Sequence, residues 1–183
     1  MQTEELTQTL IEQTRQIIYQ VEKLKDNDFS SLTWRENPAS WNILECLEHL
    51  NLYGKFYLPE IEEKIKISKT KKEVEFNSGM IGNYFANSML PKEKLNKMKT
   101  FKDKNPLNSN LSKDVIDEFL NQQIKLLDLL NKSRNVSLNK VKISISISRL
   151  IKLKLGDTFR FYINHMIRHM KQIEKIQIEM KDA

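Results

Sequence analysis

The chain has 183 residues, 30 Lys and Arg against 24 Asp and Glu, a formal charge of +6, and only 4 Gly, 4 Pro, 3 His and 1 Cys. That length suits one domain spanning 1–183, able to bury roughly 70% of the surface its unfolded chain exposes, so no metal is needed merely to fold it. The lone Cys46 excludes an intramolecular disulfide, and no apolar run approaches the roughly 20 residues that cross a bilayer, so a soluble cytoplasmic protein with no membrane partner is expected. The lysines are scattered and interleaved with acids rather than clustered, which argues for solvated helix faces and against a nucleic-acid partner.

Scarce Gly and Pro and abundant Lys, Glu, Leu and Ile point to an all-α fold. The first helix is expected from Thr3, as cap, to about Lys25, with Leu6, Leu10, Ile17, Val21 and Leu24 forming one stripe. Residues 26–41 read as a loop anchored by Phe29, Leu32, Trp34 and Trp41. A second helix opens with Asn42 and Glu45 in a capping-box pattern and buries Ile43, Leu47, Leu50, Ile61 and Ile65, with a kink expected at Pro59.

Residues 68–110 form a long, irregular second connection with a short helix from about Met80 to Met89, and connections this long are usually functional or mobile. A third long helix should run from a Ser112 cap to about Lys132, with Ile116, Phe119, Leu120, Ile124, Leu127 and Leu130 inward. The period then changes. Val141, Ile143, Ile145 and Ile147 alternate with polar residues, and Ile151, Leu153 and Leu155 continue the alternation, so a short extended segment precedes the last helix; its edge could pair protomers. Asp157 is the expected cap of that last helix, whose apolar face carries Tyr162, Met166, Met170, Ile173, Ile176 and Met180. Four long amphipathic segments with no internal repeat fit an irregular four-helix bundle, and many bundles of this size are homodimers.

All three histidines lie on these helices. His165 and His169 are four residues apart, one above the other on one face, and offer two imidazoles to a single point. His49 sits on a second arc of its helix with Cys46, Tyr53 and Phe56, away from the Ile43, Leu47 and Leu50 stripe. Such an arc packs on another neighbour or walls a pocket. Three imidazoles would make a metal site with an open position, the arrangement that generates hydroxide near neutral pH, while three ordinary half-buried histidines are the alternative. Cys46 is either a fourth ligand that closes the site or a small apolar core residue. Glu45 is committed to the cap, Glu48 to an exposed face, and Arg168 and Gln172 to bonds across helices or to solvent, so no general base can be named.

The stretch Trp41-Asn42-Ile43-Leu44-Glu45-Cys46-Leu47-Glu48-His49-Leu50 resembles the tryptophan, cap, glutamate and histidine pattern of the second helix in the DinB-like superfamily of bacterial four-helix proteins. His165-Met166-Ile167-Arg168-His169-Met170-Lys171-Gln172-Ile173 looks like that family's closing motif. The resemblance implies an up-down-down-up bundle, His49, His165 and His169 as ligands of a divalent metal, most readily zinc or nickel, and a metal-dependent hydrolase or a thiol-dependent S-transferase using a low-molecular-weight thiol on a small-molecule substrate. The contrasting expectation is a non-catalytic, stress-related binding or scaffold protein with a vacant site that associates through residues 141–155.

Overall fold

A computed structural model describes residues 1–91 and 100–183. It is mostly helical, with one small two-stranded sheet. In chain order the elements are α1 (Thr3–Glu22) with a 3-10 turn (Lys23–Asp26), α2 (Phe29–Thr33), α3 (Ile43–Lys66), α4 (Met80–Ser88), a second 3-10 turn (Lys102–Lys104), α5 (Asp114–Ser133), β1 (Lys142–Ile145), β2 (Ser148–Lys154) and α6 (Leu155–Lys181). The stretch at 92–99 within the expected long connection lies outside the described residues.

Helix α3 starts where the sequence says it should. The Asn42 side chain accepts from the Glu45 N–H at 2.8 Å, and Glu45 Oε2 accepts from the Asn42 N–H at 3.0 Å, so the two side chains satisfy backbone donors at both ends of the first turn. The helix then runs unbroken through Pro59, which is exposed. Three other expected ends differ. Thr3 is inside α1 rather than its cap, and its N–H is taken up by the Val74 carbonyl at 2.8 Å, because the 74–76 segment pairs with the chain start and supplies an acceptor. Ser112 precedes α5 without capping it in register, exchanging bonds with Asp114 instead.

Asp157 does not cap α6, which begins two residues earlier. Its buried carboxylate accepts from the Gly79 N–H at 2.9 Å and from the Ser78 hydroxyl, and so caps α4. A carboxylate at a helix N-terminus meets both free N–H groups and the positive end of the dipole. Space for it comes from Gly82, where a Cβ would lie 2.3 Å from the Asp157 carboxylate.

The alternating run at 141–155 is extended, as expected, but folds back on itself. β1 and β2 pair antiparallel with Lys142 opposite Lys154, Ile143 opposite Leu153 and Ser144 opposite Lys152, and the register slips between Ser144 and Ile145. Ile143, Ile145 and Leu153 face the interior. Ile124, expected inward on α5, is 62% exposed; Gln123 takes the inward place, with its amide donating to the Phe119 carbonyl.

Helix α1 packs on α5 and α6, and α3 packs on the same two. Leu10, Ile17, Val21, Ile43, Leu47, Leu50, Phe119, Leu126, Leu129, Phe159, Tyr162 and Met166 are buried between them. Each such side chain contributes about 1.5–3 kcal/mol, so this interior is what holds α3 and α6 in the contact that the histidines use. No helix among the described residues is long and apolar enough to cross a membrane.

Candidate metal centre

Helix α6 stacks His165 and His169 on one face, and α3 brings His49 to the same point from 116 residues away. The His165 Nε2 lies 3.2 Å from His49 Nε2 and 3.0 Å from His169 Nε2. All three residues are buried, and their candidate ligand atoms fall within 4.8 Å of one another. Two nitrogens sharing one tetrahedral zinc-sized ion sit roughly 3.3 Å apart, given bonds of about 2.0–2.1 Å. The rings are already near that spacing, and the cluster could hold a metal ion.

The outer edges of the rings fix where the protons are. His49 Nδ1 is 2.6 Å from the Lys104 carbonyl oxygen, which can only accept, so Nδ1 carries the hydrogen. His169 Nδ1 is 3.0 Å from Gln172 Oε1, with the same consequence. Both Nε2 atoms therefore present lone pairs, and both face His165 Nε2. One neutral imidazole has a single N–H, so it cannot satisfy both lone pairs in full, and among the described residues His165 Nδ1 has no partner to relieve it. A cation placed among the three nitrogens would meet every lone pair at once, with His165 then bearing its hydrogen on Nδ1.

Protonation offers no alternative source of positive charge. Burial pushes His49 down to about 4, the bond to Lys104 opposing it only in part. His165 and His169 are held well below the ordinary histidine range, first by burial and then by the neighbouring imidazoles and Arg168. The neutral rings that acid would spoil are the form that binds metals.

Aromatic side chains enclose the cluster. Trp41 stacks against His169 at 5.9 Å and tilts over His49 at 4.7 Å, while Tyr53 meets His49 at 5.0 Å and His165 at 4.7 Å edge-on. Burial, with Tyr57 and Asp103 nearby, raises the Tyr53 hydroxyl to about 12, so it remains a neutral donor. Cys46 takes no part. It is fully buried in the apolar core, where burial together with Glu45 raises its pKa, and it is not among the residues whose ligand atoms converge; a fourth ligand of this kind is overturned. Glu48 lies away on a half-buried edge with Lys55. Gln172, expected to reach across helices or into solvent, instead turns back along its own helix to His169.

A sequence profile of the DinB superfamily matches residues 10–173, which includes both histidine stretches and all four long helices in whole or large part. The chain belongs to the DinB superfamily. No curated protein and no solved structure matches it. Lys104 had no signal as a site residue in this DinB superfamily chain, since a backbone carbonyl leaves no trace in side-chain chemistry, whereas Tyr53 shares the His49 arc and Trp41 opens the histidine-bearing stretch. Gln172 also left a trace, because a residue three beyond a histidine on a helix shares its face.

Proposed function

We propose that this DinB superfamily protein is a metal-dependent enzyme in which His49, His165 and His169 hold a divalent ion, zinc or nickel, through their Nε2 atoms. The observation that supports this reading above all is the convergence of two fixed lone pairs on a third imidazole that cannot satisfy both. When bound, such an ion supplies Lewis acidity, lowering the pKa of a water or of a small thiol so that it attacks an electrophilic small molecule, by hydrolysis or by S-transfer respectively.

The chain's own groups do the rest. The Lys104 carbonyl and the Gln172 amide oxygen hold protons on Nδ1 of His49 and His169 and so keep their Nε2 atoms directed inward. Trp41 and Tyr53 exclude bulk water, which strengthens any electrostatic interaction inside. The three-residue cluster itself contains no carboxylate, and Asp103 is the acidic side chain that acts on Tyr53 beside it. The accompanying architecture is an up-down-down-up bundle of α1, α3, α5 and α6 in a single domain over residues 1–183, in a cytoplasmic homodimer.

One observation favours the binding or scaffold reading. Helix α4 turns Met80, Ile81 and Tyr84 outward at 92%, 59% and 72% exposure, and Leu150 of β2 is 94% exposed; apolar side chains so displayed suit association. Elemental analysis of tag-free protein separates the two. About one metal ion per chain, lost in His165→Ala, is the outcome expected of an enzyme site. Metal absent from both after dialysis against zinc and nickel would leave the scaffold.

A further inference from the structure

The partner of His49 Nδ1 is a backbone carbonyl in a surface loop, and nothing about Lys104 as a residue type keeps it there. The loop is held instead by Glu45 on the first turn of α3 and by Trp41, the residue before its Asn42 cap. Trp41 Nε1 donates to Asn105 Oδ1 at 3.1 Å, and that oxygen also accepts from the Leu107 N–H at 3.2 Å. Glu45, fully buried, accepts from the Asn108 N–H at 2.6 Å through Oε1, the oxygen that the Arg35 guanidinium reaches at 3.1 Å. Arg35 completes the triangle by donating to Asn108 Oδ1 at 2.9 Å.

Asn108 has a φ of 61°, and it is the only non-glycine residue with positive φ among those described. Asparagine tolerates this left-handed conformation where a β-branched residue does not. The conformation is what aims the Asn108 N–H at Glu45. Because Glu45 stands one turn before His49 on the same face of α3, a single carboxylate both closes the capping box and fastens the loop whose carbonyl grips the histidine.

We infer that Glu45 is a positioning residue for the histidine cluster: by clasping the Asn108 N–H it fixes the 104–108 loop so that the Lys104 carbonyl keeps His49 in its Nδ1–H form, with Nε2 free to face His165 and His169. The effect on the tautomer stands on geometry alone, and only the effect on metal affinity rests on the proposed function. Outer groups that orient a ligating histidine typically change metal affinity by 10-fold to 100-fold.

The test uses the full chain, labelled with 15N-histidine, in metal-free form. Wild type, Asn108→Val, Glu45→Leu and Asn108→Gly are compared by the imidazole nitrogen shifts of His49 and, separately, by zinc affinity in competition with a chromophoric chelator. Wild type is expected to show the Nδ1–H tautomer. Asn108→Val, which disfavours the left-handed backbone, should mix the tautomers and weaken zinc roughly 10-fold to 100-fold, and Asn108→Gly, which accepts the same φ and keeps the N–H, should behave as wild type in both. Glu45→Leu removes both acceptor oxygens at similar size and should move His49 in the same direction, so the question stays answerable if Asn108→Val does not fold. An unchanged His49 tautomer in a folded Asn108→Val or Glu45→Leu protein overturns the clasp, even where zinc binds normally. A shifted tautomer in a chain whose wild type takes up no zinc upholds the clasp and removes the metal instead.

Discussion

His169 and His49 are oriented by opposite means. His169 is held from within its own helix, by a glutamine three residues on, and would keep that partner wherever α6 went. His49 depends on a carbonyl 55 residues away, on a loop fastened through Trp41, Glu45 and Asn108. The first arrangement comes with the formation of a helix; the second exists only when α3, the 104–108 loop and α6 are all in place. Cation binding at this cluster should therefore report on the assembled tertiary structure, even though two of its three nitrogens are a local feature.

Removing one ring from the local pair is the harshest way to break that comparison. His165→Ala takes away the nitrogen on which both others converge, and metal content should fall from about one per chain to below a tenth, read by elemental analysis. His49→Ala should match it if the distant arm is equally necessary; retention of metal by His49→Ala alone would mean that the helical pair suffices.

Acid probes the two arms together. A histidine whose folded pKa is depressed stabilises the fold above its unfolded value near 6.5, and that contribution is lost as pH falls toward the folded value. For His49, pushed down to about 4, the loss between those limits is about 3 kcal/mol in the metal-free protein. Urea unfolding of metal-free wild type at pH 7 and pH 4.5 gives this loss together with those of His165 and His169, which are shifted the same way, and the part absent from His49→Ala is that of His49; a midpoint that does not move over this range contradicts the burial of neutral rings.

Metal binding should act with similar size and opposite sign. An ion that binds only the folded chain, present at 100 times its dissociation constant, adds about 2.7 kcal/mol of stability, and a chelator should reverse the rise in Tm. The smallest effect is expected at the local anchor. Gln172→Leu leaves His169 on its helix and removes only the acceptor at Nδ1, so zinc affinity should fall about 10-fold, or about 1.4 kcal/mol, in the same chelator competition. A larger loss here than in Asn108→Val would invert the proposed order of the two anchors.

What the sequence disclosed follows the same division. The His165 and His169 spacing, the Asn42 and Glu45 box, the helical stripes and the alternation at 141–155 are relations among near neighbours, and they read directly from the 3.6-residue and two-residue periods. Two of the misjudged caps involve distant partners, whereas Ser112 and Gln172 turn to neighbours two and three residues away. Asp157 looks like the cap of its own helix but serves α4, 78 residues earlier; Thr3 looks like a cap but is displaced by the Val74 carbonyl. Ile124 was placed inward by spacing alone, and packing put Gln123 there. The convergence of His49 with the other two came from the family resemblance and from counting arcs, while the loop that orients it had no signal, because its contribution is made by backbone.

Cys46 has a practical consequence for all of these measurements. It is the sole thiol, lies three residues from His49 on α3, and is sealed in the core with its proton retained. An alkylating reagent can reach it only when α3 detaches from its neighbours, so the rate of thiol modification is a built-in clock for that opening. Slower labelling in the presence of zinc would show that the cation restrains the same helix whose first turn secures the loop.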